Sequence, residues 1–353
     1  MVRVAINGFG RIGRAFVRAA HDAGLRHAEA GSGLAEAGAD IEIVAVNDLG
    51  NIDNLAYLLK YDTVYRRAPF EVSAADGVIT AGKWKLKVLA EKDPAALPWR
   101  DMNIDVVVES TGLFTDFDKA GVHITAGAKR VVVSAPSKDG DGSVPGATIL
   151  MGLNNDKVST CAVTSNASCT TNAASPIIAI LDEGIGIEKA ILSTTHAYTA
   201  SQSIVDGPSK KDKKEGRAAA QNIVPTSTGA AIAVTKAYPA LAGKFDGISL
   251  RVPVPAGSIA DITFIAKRPT TVEEVNAVLK AAAQSDRWKG IFTASEEELV
   301  SSDIIGQPYG SIADLGMTRV VDGNLVKVLA WYDNEMGYTH TLVRHVVETG
   351  KHV

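Results

Sequence analysis

Val2-Arg3-Val4-Ala5-Ile6-Asn7-Gly8-Phe9-Gly10-Arg11-Ile12-Gly13-Arg14 holds the first organising signal of the chain. Val2 to Ile6 is a short apolar strand, and Ala15 to Ala23 repeats apolar residues at helical spacing. Between them Gly8, Gly10 and Gly13 spell G-x-G-x-x-G. Alone, that triplet is equally an ordinary glycine-rich turn. Between a strand and a helix it reads as a dinucleotide-binding loop. The first glycine permits the tight turn, the second lets a pyrophosphate approach the backbone, and the third lets helix and strand pack closely.

Such a loop requires an acid at the end of the next strand. Ile41 to Val46 is that strand, and Asn47-Asp48-Leu49 ends it. Asp48 can accept both ribose hydroxyls of an adenosine, and its charge repels a 2′-phosphate, which favours NAD over NADP. Asp48 lies well beyond the about 20 residues expected after the glycines. The excess falls in Gly24 to Ala39, rich in Gly, Ala and Glu, and reads as a surface insertion.

Working outward, the alternation continues. Asn51 to Tyr61 is helical, and Val78-Ile79 and Leu86 to Leu89 are strands flanking Gly82. Asp105 to Val108 ends at Glu109-Ser110-Thr111-Gly112, and Val131 to Val133 ends at Ser134-Ala135-Pro136. Buried strands that end repeatedly in small polar residues indicate an α/β fold: a doubly wound parallel (Rossmann) sheet with its ligand crevice at the strand C-termini. Ser110, Thr111 and Ser134 either face that crevice or serve only as strand-end turn residues. Past residue 150, alternating stretches at Ala190 to Tyr198, Ile248 to Val254, Ile259 to Ala266 and Leu325 to Tyr332 predict a mainly antiparallel sheet. With a helix at Val272 to Gln284, the second domain reads as α+β. The expected boundaries are 1–167 for the dinucleotide-binding domain, 168–334 for the catalytic domain, and 335–353 for a final helix returning to the first.

Composition narrows the function. The 353 residues are 46% hydrophobic, enough for two cored domains. A net charge of −4 gives no reason to expect nucleic acid or an acidic membrane as partner. No run is long and apolar enough to span a membrane, and the first residues enter a strand directly, without a signal-peptide pattern. The two cysteines, Cys161 and Cys169, form no disulfide framework, which fits a reducing cytoplasm. No metal-ligand pattern is expected.

Cys169 stands in Ser165-Asn166-Ala167-Ser168-Cys169-Thr170-Thr171-Asn172, just ahead of an apolar run from Ala173 to Leu181. That run reads as a helix with Cys169 at its first turn. Unpaired N–H groups and the positive end of the helix dipole there favour thiolate, and the same N–H groups can receive an oxyanion or phosphate. Pro176 inside the run predicts a kink or a later start. A small core hydrophobe remains the alternative reading; four hydroxyls nearby argue against a dry core. Among seven histidines, His196 in Ser193-Thr194-Thr195-His196-Ala197-Tyr198-Thr199 ends a strand in the same domain. An imidazole beside a thiol makes an activated nucleophile pair. Pro225 to Ala231 sets hydroxyls and glycine ahead of an apolar helix, and Arg251 sits among apolar neighbours, where it needs an anion.

Five segments occur in order: Asn7 to Arg14, Ala167 to Asn172, His196 to Thr199, Ser227 to Ala231, and Trp331-Tyr332-Asp333-Asn334-Glu335-Met336-Gly337-Tyr338. With them, nearly the whole chain resembles the phosphorylating glyceraldehyde-3-phosphate dehydrogenase family. The resemblance implies Cys169 as nucleophile and His196 as its base. It implies cofactor contacts from Gly8, Gly10, Arg11, Ile12, Asp48, Lys92, Ser134 and Asn334, with NAD as cofactor. It implies two anion sites from Ser168, Thr170, Thr199, Thr228, Gly229 and Arg251, for glyceraldehyde 3-phosphate and inorganic phosphate. Ser201 to Arg217 is similar to the family's S-shaped loop, and a homotetramer is implied with it. Departures are the Gly24 to Ala39 insertion, Lys214-Glu215 where an arginine is frequent, Ala173 for a second cysteine, and Met336 for a tryptophan. The expected reaction is NAD-dependent oxidation to 1,3-bisphosphoglycerate through a cysteine thioester. The rivals are an erythrose-4-phosphate dehydrogenase, a dinucleotide-binding redox regulator without turnover, and a cysteine hydrolase. The last leaves the glycine loop unexplained.

Overall fold

The computed structural model describes residues 1–26, 41–209 and 212–353. Of the insertion read at Gly24 to Ala39, only Gly24 to Arg26 falls among them, as the end of the helix Arg11–Arg26. Two compact units are present: Met1–Ser168 with Thr339–Val353, and Cys169–Tyr338.

The first unit is built on a nine-stranded sheet. Its order is Gly146–Thr148, Val163–Ser165, Arg130–Val133, Val106–Glu109, Val2–Asn7, Ile41–Asn47, Trp84–Leu89, Val78–Ala81, Val72–Ala75. The first seven strands run parallel, and the last two add an antiparallel meander. Val106 to Val108 and Val131 to Val133 are buried throughout, as strands covered on both faces must be. Val2–Asn7 lies between Ile41–Asn47 on one side and Val106–Glu109 on the other. The winding reverses there, and a crevice opens beyond the C-terminal strand ends. The helix Ile52–Lys60 is started by Asn51, whose side chain accepts from the N–H groups of Asp53 and Asn54.

The last helix, Met336–Gly350, belongs to the first unit from Thr339 onward. It buries Leu342, Val343 and Val346. Gly350 lies so close to the first strand that a Cβ there would stand 2.2 Å from Val2 Cγ2. His345 is fully buried, its Nδ1 3.2 Å from Asn166 Oδ1.

The second unit carries a seven-stranded sheet. Its order is Val224–Ser227, Phe245–Val252, Ile187–Ala197, Ser258–Ala266, Leu325–Tyr332, Ser311–Val321, Phe292–Ser295. The sheet is mainly antiparallel, but the edge strand Phe292–Ser295 pairs in parallel with Ser311–Val321, and Ile187–Ala197 pairs in parallel with Phe245–Val252. More than forty residues join those two strands, including the helix Ala230–Ala237. A crossover of that length is what parallel neighbours require, and alternation within each strand cannot reveal it. The helix Cys169–Gly184 runs through Pro176 and starts at the cysteine, so no later start occurs. Its end packs on Val272–Ala283: a Cβ on Gly184 would stand 2.7 Å from Val278 Cγ1.

Burial holds the His345 imidazole down at about 3, so the folded state keeps it neutral while the unfolded chain protonates near 6.5. Its contribution to stability is therefore full above about pH 6.5 and is lost as pH falls toward 3. Between pH 7 and 5 the loss for this one group is about 2 kcal/mol. Urea unfolding at the two pH values should show His345→Gln to be less acid-sensitive by that amount; equal sensitivity contradicts a neutral buried ring.

Candidate active site

In the first unit, strand ends and the glycine loop enclose a cleft of about 440 Å³. Its lining includes Gly8, Gly10, Asn47, Asp48, Lys92 and Thr111. Gly8 has φ +94, and its N–H donates to Asn47 O at 2.8 Å. A side chain at Gly13 would put Cβ 2.3 Å from Gly8 O, so strand and helix meet only because that position has none. At Gly10 a Cβ would meet no atom within 4 Å, so the loop is open there toward the cleft. A phosphate-bearing dinucleotide fits this cradle: open backbone at Gly10, a helix N-terminus behind it, and a carboxylate beyond. Asp48 is locked in place, its Oδ2 accepting from Phe9 N at 2.8 Å and its Oδ1 from Gly50 N at 2.8 Å. Each oxygen keeps a lone pair for a further donor.

Not every expected cofactor residue lines that cleft. The Arg11 side chain pairs with Asp62 at 2.5 Å and lies over the Tyr65 ring. Ile12 is half-buried in the same helix. Ser134 follows the strand Arg130–Val133, and its N–H donates to Glu109 O at 2.9 Å. Leu49, Leu113 and Phe114 form an apolar wall that the sequence reading passed over. Leu49 and Leu113 are more than half exposed, a signal visible only once the strand ends are assembled.

In the second unit, Cys169 is the first residue of the helix Cys169–Gly184, and His196 lies near the end of the strand Ile187–Ala197. Cys169 Sγ stands 3.3 Å from His196 Nε2. His196 Nδ1 is 2.6 Å from Ala197 O and 2.9 Å from Arg251 Nη1. The carbonyl can only accept, so the shorter contact assigns the ring proton to Nδ1 and leaves the Nε2 lone pair facing sulfur; the Arg251 approach is then a contact of two donors and not a hydrogen bond. Parallel pairing puts His196 directly beside Arg251. Among the described residues Arg251 has no carboxylate partner, and its buried Nε makes no hydrogen bond.

The pull of the helix terminus toward thiolate is opposed by burial. Burial pushes the Cys169 thiol up to about 11, against the opposing pull of Arg251 and of the Thr170 N–H. Burial, followed by the Arg251 charge, pushes the His196 imidazole down to about 3. Burial thus works against charge on both groups. Thr170 is buried, its Oγ1 2.9 Å from Tyr332 Oη; the same Oη lies 2.7 Å from Thr194 Oγ1. The Tyr332 ring stands edge-on to His196 at 5.9 Å. Tyr332 was not singled out from sequence, because an inward residue on an alternating strand looks like ordinary core. Thr199 Oγ1 contacts Ser201 Oγ, and Thr228 Oγ1 accepts from Ala230 N, with Gly229 opening the helix Ala230–Ala237. No hydrogen bond joins either threonine to Arg251 or Cys169. Ser168 is half-buried, and Asn334 is buried with Oδ1 accepting from Ser258 Oγ at 3.0 Å.

Comparison with known proteins places the chain. Residues 2–117 match the model for the glyceraldehyde 3-phosphate dehydrogenase NAD binding domain, and residues 168–334 match that for the C-terminal domain of the same enzymes. A glyceraldehyde-3-phosphate dehydrogenase of Mycobacterium avium is 49% identical over 353 residues, covering 99% of each chain. One of Streptomyces coelicolor is 48% identical over 351 residues, covering 99% of this chain and 98% of its own. Fold and matches together define an NAD-dependent oxidoreductase acting on an aldehyde group. The chain belongs to the glyceraldehyde 3-phosphate dehydrogenase family.

Tyr332→Phe removes the hydroxyl that bridges the buried Thr170 Oγ1 and Thr194 Oγ1. Stability should fall by about 1–3 kcal/mol in denaturant titration; a neutral outcome means that Thr170 repacks.

Proposed function

We propose that the protein oxidises glyceraldehyde 3-phosphate with NAD and inorganic phosphate to 1,3-bisphosphoglycerate, through a thioester on Cys169. The observation that carries this reading is the 3.3 Å approach of Cys169 Sγ to the His196 Nε2 lone pair at a helix N-terminus. Imidazole takes the thiol proton as sulfur attacks the aldehyde carbon. The hemithioacetal oxygen, received by backbone N–H groups at the start of the helix, takes that proton from the imidazolium. His196 then accepts the hydroxyl proton as the carbon is oxidised. Bound NAD supplies the hydride acceptor, held by the Gly8 to Gly13 loop, Asp48 and Lys92, with Arg11, Ile12, Ser134 and Asn334 as further contacts. The thioester stays on sulfur until phosphate attacks its carbonyl carbon, and the thiolate that leaves is reprotonated by His196.

Arg251 supports the anion requirement. A half-buried guanidinium without a carboxylate partner suits a phosphate group, which it grips through two parallel N–H donors. Ser168, Thr170, Thr199, Thr228 and Gly229 complete the two phosphate sites in this reading. Assembly as a homotetramer belongs to it as well. Exposed Ile191, Ile248 and Leu325 on the sheet of the second unit suit a subunit contact. The two free cysteines suit a cytoplasmic location.

The test is NADH formation from glyceraldehyde 3-phosphate, with and without phosphate, with erythrose 4-phosphate as competitor substrate. Cys169→Ser should abolish turnover while NAD binding persists in calorimetry, and surviving dehydrogenase activity would remove the covalent step. His196→Asn should lower kcat by about 10²–10⁴-fold, the usual worth of a general base; an unchanged rate takes the base role from it. Gly10→Ala, whose Cβ meets nothing in the protein, should leave Tm in place yet weaken NAD about tenfold. Undiminished NAD affinity in that variant means that the pyrophosphate lies elsewhere.

A further inference from the structure

Beneath the cleft of the first unit lies a carboxylate that the reaction does not use. Glu109 is 1% exposed, at the end of the strand Val106–Glu109. Its Oε2 accepts from Asn7 Nδ2 at 2.6 Å and from His123 Nε2 at 2.9 Å. Its Oε1 accepts from Thr111 N at 2.8 Å and from Thr111 Oγ1 at 2.5 Å. Among the described residues no lysine or arginine pairs with it.

His123 is not a hidden cation. Trp99 Nε1, which can only donate, contacts His123 Nδ1 at 3.1 Å. Nδ1 therefore carries no proton, and Nε2–H is the donor to Glu109. The buried charge is held by four neutral donors and no counter-ion. For stability alone this is a poor device, since an apolar cluster of equal volume does as well or better.

What the charge organises is the floor of the cleft. Asn7, turned by Glu109, accepts through Oδ1 from Asn47 Nδ2 at 2.7 Å. Asn47 in turn grips the backbone of Glu91, donating to its carbonyl at 2.9 Å and accepting from its N–H at 2.8 Å. Asn7, Asn47, Glu91 and Thr111 all line the cleft. One carboxylate thus links three strand ends and the loop after Glu109.

We propose that Glu109, oriented by His123, is a positioning residue for the dinucleotide, setting the shape of the cleft from below. This rests on the reading of the cleft as the NAD site. An amide at position 109 offers one acceptor oxygen in place of two and turns an NH₂ toward existing donors. Asn7 or Thr111 must then rotate, and the cleft floor changes.

Three variants test it: Glu109→Gln, His123→Leu and His123→Gln. The last keeps a donor at the reach of Nε2. Glu109→Gln and His123→Leu should raise the calorimetric Kd for NAD about tenfold, as loss of a hydrogen bond to a charged group does. The loss should fall on NAD affinity and on KM for NAD rather than on kcat or KM for the aldehyde. His123→Gln should recover most of the affinity that His123→Leu loses. Unchanged NAD affinity in folded Glu109→Gln overturns the proposal. So does equal weakening by both His123 variants, or a fall in Tm with kcat and both KM values moving together. Should Glu109→Gln not fold, the His123 pair decides. If the unsubstituted protein fails to bind NAD, the cofactor reading falls first and the positioning role falls with it.

Discussion

Cys169 and His196 meet 3.3 Å apart at a helix N-terminus, the sulfur residue half-buried and the ring buried, and the chemistry of the second unit follows from that contact. Desolvation works against charge on both; the guanidinium opposes it on the thiol and adds to it on the imidazole. The proton can move from sulfur to nitrogen while the carbon–sulfur bond forms. The Ala197 carbonyl, 2.6 Å from Nδ1, prepares for this by keeping the Nε2 lone pair toward sulfur. Among the described residues Arg251 pairs with no carboxylate and brings a fixed charge against the pair.

Much of this was legible before any coordinates. Periodicity located Val2–Asn7, the helix behind it and the strands Val106–Glu109 and Arg130–Val133 because each buried strand is a continuous apolar run. Glycine spacing exposed the cradle because only missing side chains permit the Gly13 to Gly8 approach. Pairing direction was not legible: Ile187–Ala197 alternates identically whether its neighbour runs parallel or antiparallel. Nor was the charge state of Cys169, which depends on how much protein surrounds the sulfur. Pro176 misled, since the helix Cys169–Gly184 carries it in its middle without stopping.

Side-chain networks were the least visible from sequence. Glu109, His123 and Trp99 are separated by enough chain that no local pattern groups them, and each alone reads as a strand end, a helix residue or a core aromatic. Tyr332 lies within a motif of the sequence, yet its link to Thr170 and Thr194 exists only once helix and strands are assembled. Such groups join residues by direction of hydrogen bonding, a property that composition and spacing do not encode.

The first unit is interrupted, and its closing helix is translated after the whole of the second. While the ribosome is still making residues 169–338, Val2 lacks the surface of Gly350, and Asn166 lacks His345. The nascent sheet must therefore wait, incompletely covered, for its final segment.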